Sequence, residues 1–206
     1  MLRRVMACSL LAVVATACGG ANEPVGESSR FILSQDYELP VVEREEPTLP
    51  ARVTDASGTT VTVTDASRIV VLNQAIAEIV VSLGLRSNII GRDATTTLES
   101  LQNIDEVSNG HDVSAESVLS LRPTVVIGDT RTGPPEALEQ LRGAGVPVVI
   151  APEVWTLSEL PGRVTLLAVA LGVPQAGERL IALSQAVECA DVDATGCGND
   201  FVGTRT

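Results

Sequence analysis

The chain has one histidine and no lysine, so few residues could do chemistry. His111 stands in Asn109-Gly110-His111-Asp112. A neutral imidazole in such a loop can serve as a base or as a metal ligand. The other concentrations of polar residues are Asn73-Gln74, Arg92-Asp93-Ala94-Thr95-Thr96-Thr97 and Asp129-Thr130-Arg131-Thr132-Gly133. A hydrolase triad would have to use His111, yet no Gly-x-Ser-x-Gly elbow marks a nucleophile for it. A zinc site draws on several His or Cys ligands, and one His does not supply them. The Gly-rich phosphate cradle of dinucleotide folds and the P-loop lysine are both missing. These residues point to binding and away from catalysis.

The elements that must position these loops can be read in order. Val53-Thr54-Asp55-Ala56-Ser57 recurs as Val63-Thr64-Asp65-Ala66-Ser67. With Ser57-Gly58 as a turn and a β-branched run over 60–64, this predicts a hairpin. Residues 68–72 form an apolar strand, and Ile76, Ile79, Val80 and Leu83 follow helical spacing up to a stop at Gly84. A strand is expected over 88–91, then a helix over 114–121 ended by Pro123. A strand over 124–128, a helix from Pro134-Pro135 to Gly143 and a strand over 146–150 follow. Strand and helix alternate, so the expected fold is α/β: a single Rossmann-like lobe with a parallel sheet over 51–155, preceded by a β-hairpin. Open sheets of this kind bind ligands beyond the carboxyl ends of their strands, where the loops above fall. Trp155 follows the last strand and is expected to pack over the core edge or the cleft floor.

The remaining segments bear on location. Arg3-Arg4, an apolar run and Ala15-Thr16-Ala17 before Cys18 read as a signal peptide over 1–17. The run is too short to span a bilayer. Ala15-Thr16-Ala17-Cys18 resembles a lipobox, which would make Cys18 the lipidated first residue and place the protein outside the cytoplasm on the membrane. Residues 18–50 are acidic and proline-punctuated and read as a flexible tether. With a net charge of −12 the chain has no electrostatic grip on nucleic acid. Aromatics are 2%, so the core must be aliphatic.

Ser114-Ala115-Glu116-Ser117-Val118-Leu119-Ser120-Leu121-Arg122-Pro123 and the following Thr124-Val125-Val126-Ile127 resemble the helix-Leu-x-Pro-strand signature of class III periplasmic binding proteins. These serve ATP-driven (ABC) importers of iron complexes and cobalamin. Residues 68–92 are similar to that family's first β-α-β unit. Gly91-Arg92-Asp93-Ala94-Thr95-Thr96, Asn109-Gly110-His111 and Asp129-Thr130-Arg131-Thr132-Gly133-Pro134 most resemble its haemin-binding lipoproteins.

The resemblance implies haem as a transported ligand, not a catalytic cofactor, with an ABC permease and its ATPase as partners. It implies His111 as an axial ligand to haem iron, for which one imidazole in a cleft loop suffices. The bland alternative is that His111 caps or packs beside the helix start. Arg92 and Arg131 either pair with the propionates or stay solvated. Asn73 and Thr95 are weaker candidates for ligand contact, with backbone bonding as their other role. Glu136 either docks on permease arginines, as the family's acidic residue there does, or simply complements a helix dipole. Siderophore or cobalamin is the other cargo the family suggests.

The chain then departs from the family pattern. Residues 156–188 read as the start of the connector helix that leads to a second lobe. Residues 189–206 carry no apolar period and read as an irregular tail, as if truncated or frameshifted, in which Cys189 and Cys197 could pair. The family's second axial ligand, a tyrosine of the other lobe, has no counterpart. A non-functional half-protein is therefore the alternative to a haem carrier.

Overall fold

A computed structural model describes residues 40–110 and 112–191, with side chains described through residue 185. The expected signal segment, Cys18, His111 and Cys197 lie outside the described residues, as does the side chain of Cys189.

The repeated segment forms the hairpin it predicts. β1 (Ala51–Thr54) pairs antiparallel with β2 (Thr60–Val63). Asp55 ties the turn, accepting from the backbone N–H of Ser57 at 2.9 Å and of Thr59 at 3.1 Å, while Gly58 supplies a φ of 77°. The same buried carboxylate accepts from Ile150 N–H at 3.1 Å, and Ala56 N–H donates to Ile150 O at 2.8 Å. The turn thus closes over a stretch of sheet edge that would otherwise stand open.

That sheet has five parallel strands: β3 (Ile69–Val71), β4 (Ile89–Asp93), β5 (Asp105–Ser108), β6 (Val125–Asp129) and β7 (Val148–Ala151). Their order is β5-β4-β3-β6-β7. Strand alternation divides the core in two. Ile69, Val71, Val125, Ile127 and Val149 face one layer, containing α1 (Gln74–Val80) and α4 (Leu160–Ala170). Val70, Leu72, Val126, Val148 and Ile150 face the other, formed by α2 (Ala115–Ser120) and α3 (Pro135–Gly143). The near-continuous apolar strands of the sequence are what a sheet covered on both faces requires.

Three features differ from the sequence reading. β5, Asp-Glu-Val-Ser, carries no strand signal in the sequence: it is a polar edge strand with only Val107 and Ser108 buried. The tether does not run to residue 50. Val42 N–H donates to Ser82 O at 2.9 Å, Thr48 N–H to Gly172 O at 2.8 Å, and Val42 and Leu49 pack against the core. Glu45 accepts from Ala176 N–H at 2.6 Å, in the first turn of α5 (Pro174–Asp191), whose N-terminal N–H groups need acceptors. Finally, 156–188 is not one connector. α4 contributes Val164, Leu167 and Ala168 to the core of the lobe, and the chain turns at Gly172 (φ 76°) before α5 begins. A Cβ on Gly172 would lie 2.7 Å from Thr48 O, so the turn and the strap over it are built together.

Candidate functional site

The chain leaves β3 for β4 on one side and returns to β6 on the other, so the segments that follow the adjacent strands β3 and β6 depart to opposite faces of the sheet. This is the switch point at which open α/β sheets offer a crevice. Asn73, directly after β3, caps α1: its Oδ1 accepts from Ala75 N–H at 2.8 Å and Ile76 N–H at 3.3 Å. Its Nδ2 donates to Asp129 Oδ2 at 2.9 Å, across the switch point. Asp129, 3% exposed at the end of β6, orders the next loop by accepting from Arg131 N–H at 3.0 Å and Thr132 Oγ1 at 3.1 Å. Thr132 in turn folds back against Gly128, where a Cβ would meet its Oγ1 at 2.7 Å.

Asp93 has the same role at the end of β4. Its carboxylate is 1% exposed and accepts from Thr95 N–H at 2.7 Å and Gly110 N–H at 3.0 Å, and from the hydroxyls of Thr95 and Ser108. The loop that carries His111 is therefore bolted at Gly110 to the end of β4. Leu72, Asn73, Thr95, Gly110, Asp129, Arg131 and Thr132 together line a cleft of about 160 Å³. A second hollow of about 290 Å³ shares Asn73 and Arg131 with it and extends to Glu153, Trp155 and Arg163.

Of the residues expected here, Asn73, Thr95 and Arg131 line the cleft. Arg131 is exposed, with Nε 3.5 Å from Glu153 Oε1 and Nη2 3.8 Å from Asp129 Oδ2. Glu136 is exposed in the first turn of α3.

Arg92 is neither in the cleft nor solvated. It is 5% exposed, and its Nη2 meets Glu106 Oε1 at 2.6 Å while Nη1 donates to the carbonyls of Asp93 and Thr96, each at 3.2 Å. The cause is a bulge: Ile69 pairs with Ile89 but Val70 with Gly91, so the phase of β4 slips by one residue. Arg92 is thereby set beside Val71 and turned under the sheet toward the α1 layer.

Trp155 corrects the reading in the other direction: it is not buried over the core edge but 76% exposed, lining the second hollow. Its turn is held by Glu159, which accepts from the N–H groups of Trp155 at 2.7 Å and Thr156 at 3.1 Å. Those two bonds hold the Glu159 carboxyl below its ordinary pKa.

Asp93, Asp129 and Arg163 are site residues that the sequence reading misses. The two aspartates carry a legible signal: Asp at a strand end with Thr two or three residues on is the pattern of a side chain closing its own loop. Arg163 carries none. It enters from the first turns of α4, is 6% exposed and donates from Nε to Pro152 O at 2.6 Å. Burial pushes its pKa down, Asp129 and Glu153 oppose that, and Arg131 adds to it.

The family model for periplasmic binding proteins matches residues 69–194. The chain belongs to that family. As a periplasmic binding protein it is similar to the heme-binding protein HmuT, with 37% identity and a TM-score of 0.67 over 71% of this chain and 48% of that one. It is also similar to the periplasmic heme-binding protein RhuT from Roseiflexus sp. RS-1, with 41% identity and a TM-score of 0.58, over 61% of this chain and 49% of that one. An uncharacterized ABC transporter substrate-binding lipoprotein of Bacillus subtilis (strain 168), YvrC, is 26% identical over 136 residues, 64% of this chain and 43% of that protein. The chain spans less than half the length of each of these relatives. Its parallel five-stranded sheet is the α/β lobe expected from the sequence, and the family is one of binding proteins.

Proposed function

We propose that this chain captures haem outside the cytoplasm as the cargo of an ABC importer and presents it to the membrane permease with its ATPase. The observation that carries this reading is the cleft at the β3/β6 switch point. Gly110, the neighbour of His111, stands in its wall, and structures of 37% and 41% identity to this chain are of heme-binding proteins.

In this reading His111 supplies a neutral imidazole to the haem iron, and Arg131 supplies charge-assisted hydrogen bonds to a propionate. Leu72 and the bare backbone at Gly110 give a flat ring room to approach, while Asn73 and Thr95 line the wall. Cys18 carries the lipid that holds the protein at the membrane, and exposed Glu136 docks on the permease. A siderophore or cobalamin is the second reading, supported by the exposed indole of Trp155 beside the groove.

The test is a haemin titration of the full chain followed through the Soret band, beside His111→Ala. A saturable, shifted band lost in the variant is expected. Equal weak signals from both proteins would remove His111 as a ligand and, with it, the haem reading.

A further inference from the structure

Resting on that reading, we infer that Arg163 and Arg131 form a carboxylate-binding subsite on the β7 side of the groove, roofed by the indole of Trp155. The ligand class it selects is a flat, largely apolar molecule bearing carboxylate arms.

Arg163 cannot be a solvated surface charge, because it is 6% exposed. It is not neutralised by contact either. Among the described residues it forms no ion pair within 4.0 Å, and only its Nε has a hydrogen-bond acceptor, Pro152 O. A guanidinium has five N–H groups in a rigid fork matched to a carboxylate, which leaves the Nη edge for an acceptor from outside. That side chain borders the hollow shared with Arg131 and Trp155.

The neighbouring carboxylates are already engaged. Glu153 Oε1 accepts from Thr130 Oγ1 at 2.7 Å and lies 3.5 Å from Arg131, and Asp129 is occupied by Asn73, Arg131 N–H and Thr132. In a chain of net charge −12, two arginines converging on one groove are an exception that a neutral ligand does not need. The exposed Trp155 is the chain's one tryptophan, and a large indole left 76% open beside two guanidiniums is placed to lie against a ring. Burial of Arg163 strengthens its pairing with an incoming anion, since the surrounding dielectric is low.

Arg163→Gln, Arg163→Met and the wild-type full chain would be titrated with haemin and with haemin dimethyl ester, whose carboxylates are blocked. The Soret band and Trp155 emission report binding. Haemin affinity should fall about tenfold in Arg163→Gln, the scale of one charge-assisted hydrogen bond. The ester should bind wild type and variant alike. Equal losses for both ligands, or no loss for either, would overturn the subsite.

Far-UV circular dichroism checks the fold. If Arg163→Gln does not fold, Arg163→Met, which keeps the apolar stem at this buried position without the cation, decides by the same criterion. If wild type shows no saturable haemin signal, the haem reading fails on its own. The subsite is then judged with iron-free protoporphyrin IX, which is flat, carries two carboxylate arms and needs no axial ligand: Trp155 emission quenched to saturation in wild type and less in the Arg163 variant supports it, and no response sinks it.

Discussion

Asp93→Asn isolates what one buried carboxylate does for the loop that carries His111. Asp93 is 1% exposed and takes two backbone donors on different oxygens, Thr95 N–H at 2.7 Å on Oδ1 and Gly110 N–H at 3.0 Å on Oδ2. Asparagine has the same shape but only one acceptor oxygen, so one backbone N–H must face an NH₂ group. The Ser108 hydroxyl can rotate to accept instead, whereas a backbone N–H cannot. With the carbonyl kept toward Thr95, the bond to Gly110 is the one lost. Removing a charge-assisted bond and orphaning a half-buried N–H costs about 2 kcal/mol.

For a domain of this size that lowers Tm by about 5 °C. Asp93→Ala strands all four donors and should cost about 4 kcal/mol. Thermal melts give the magnitudes, and amide hydrogen exchange locates them: Gly110 N–H should exchange faster in Asp93→Asn while amides of β3 and β6 do not change. Melting within a degree of wild type, with Gly110 exchange unaltered, would refute the idea that Asp93 holds this loop.

Two glycines should answer oppositely to the same methyl group. A Cβ on Gly91 would lie 2.8 Å from Leu121 Cδ1 and 3.0 Å from Val70 Cγ2, so Gly91→Ala should cost about 1–3 kcal/mol by chemical denaturation. Gly143, the last residue of α3, has nothing within 4 Å of that position, and Gly143→Ala should raise stability by about 0.5–1 kcal/mol. The turn before α4 should respond to acid. The folded-state pKa of Glu159 is depressed, so its capping contribution is present above the ordinary value of 4.5 and is lost as pH falls through the lower folded value. Trp155 emission should therefore change in that acid range, and Glu159→Gln should remove the transition. An unchanged titration in the variant would separate Trp155 from this cap.

How much of this was legible depends on whether the deciding interaction was local. The hairpin followed from Ser57-Gly58 and the repeated Val-Thr-Asp-Ala-Ser, because a turn and its flanking alternation lie within a dozen residues. The break at Gly84, with φ 81°, in the turn that continues from α1 was legible for the same reason. The loops of Asn73, Thr95 and Arg131 could be placed at one end of the sheet, since parallel strands alternating with helices put all their carboxyl ends on one side.

Tertiary structure alone decided the rest. The edge strand β5 is too polar to announce itself and exists because Gly91, Arg92 and Asp93 offer it a ladder. The bulge in β4 moved Arg92 from the loop side of the sheet to a buried pair with Glu106, a one-residue change of phase that no pattern of residue types encodes. Residues 42–49 joined the lobe because Glu45 found the start of a helix more than a hundred residues later. Arg163 came into the groove only because α4 lies against the sheet with its first turns beside β7. Sequence set which faces were apolar and where the chain turned. Which polar groups would meet was settled by packing, because an ion pair or a cap depends on distance in space and those partners are far apart along the chain.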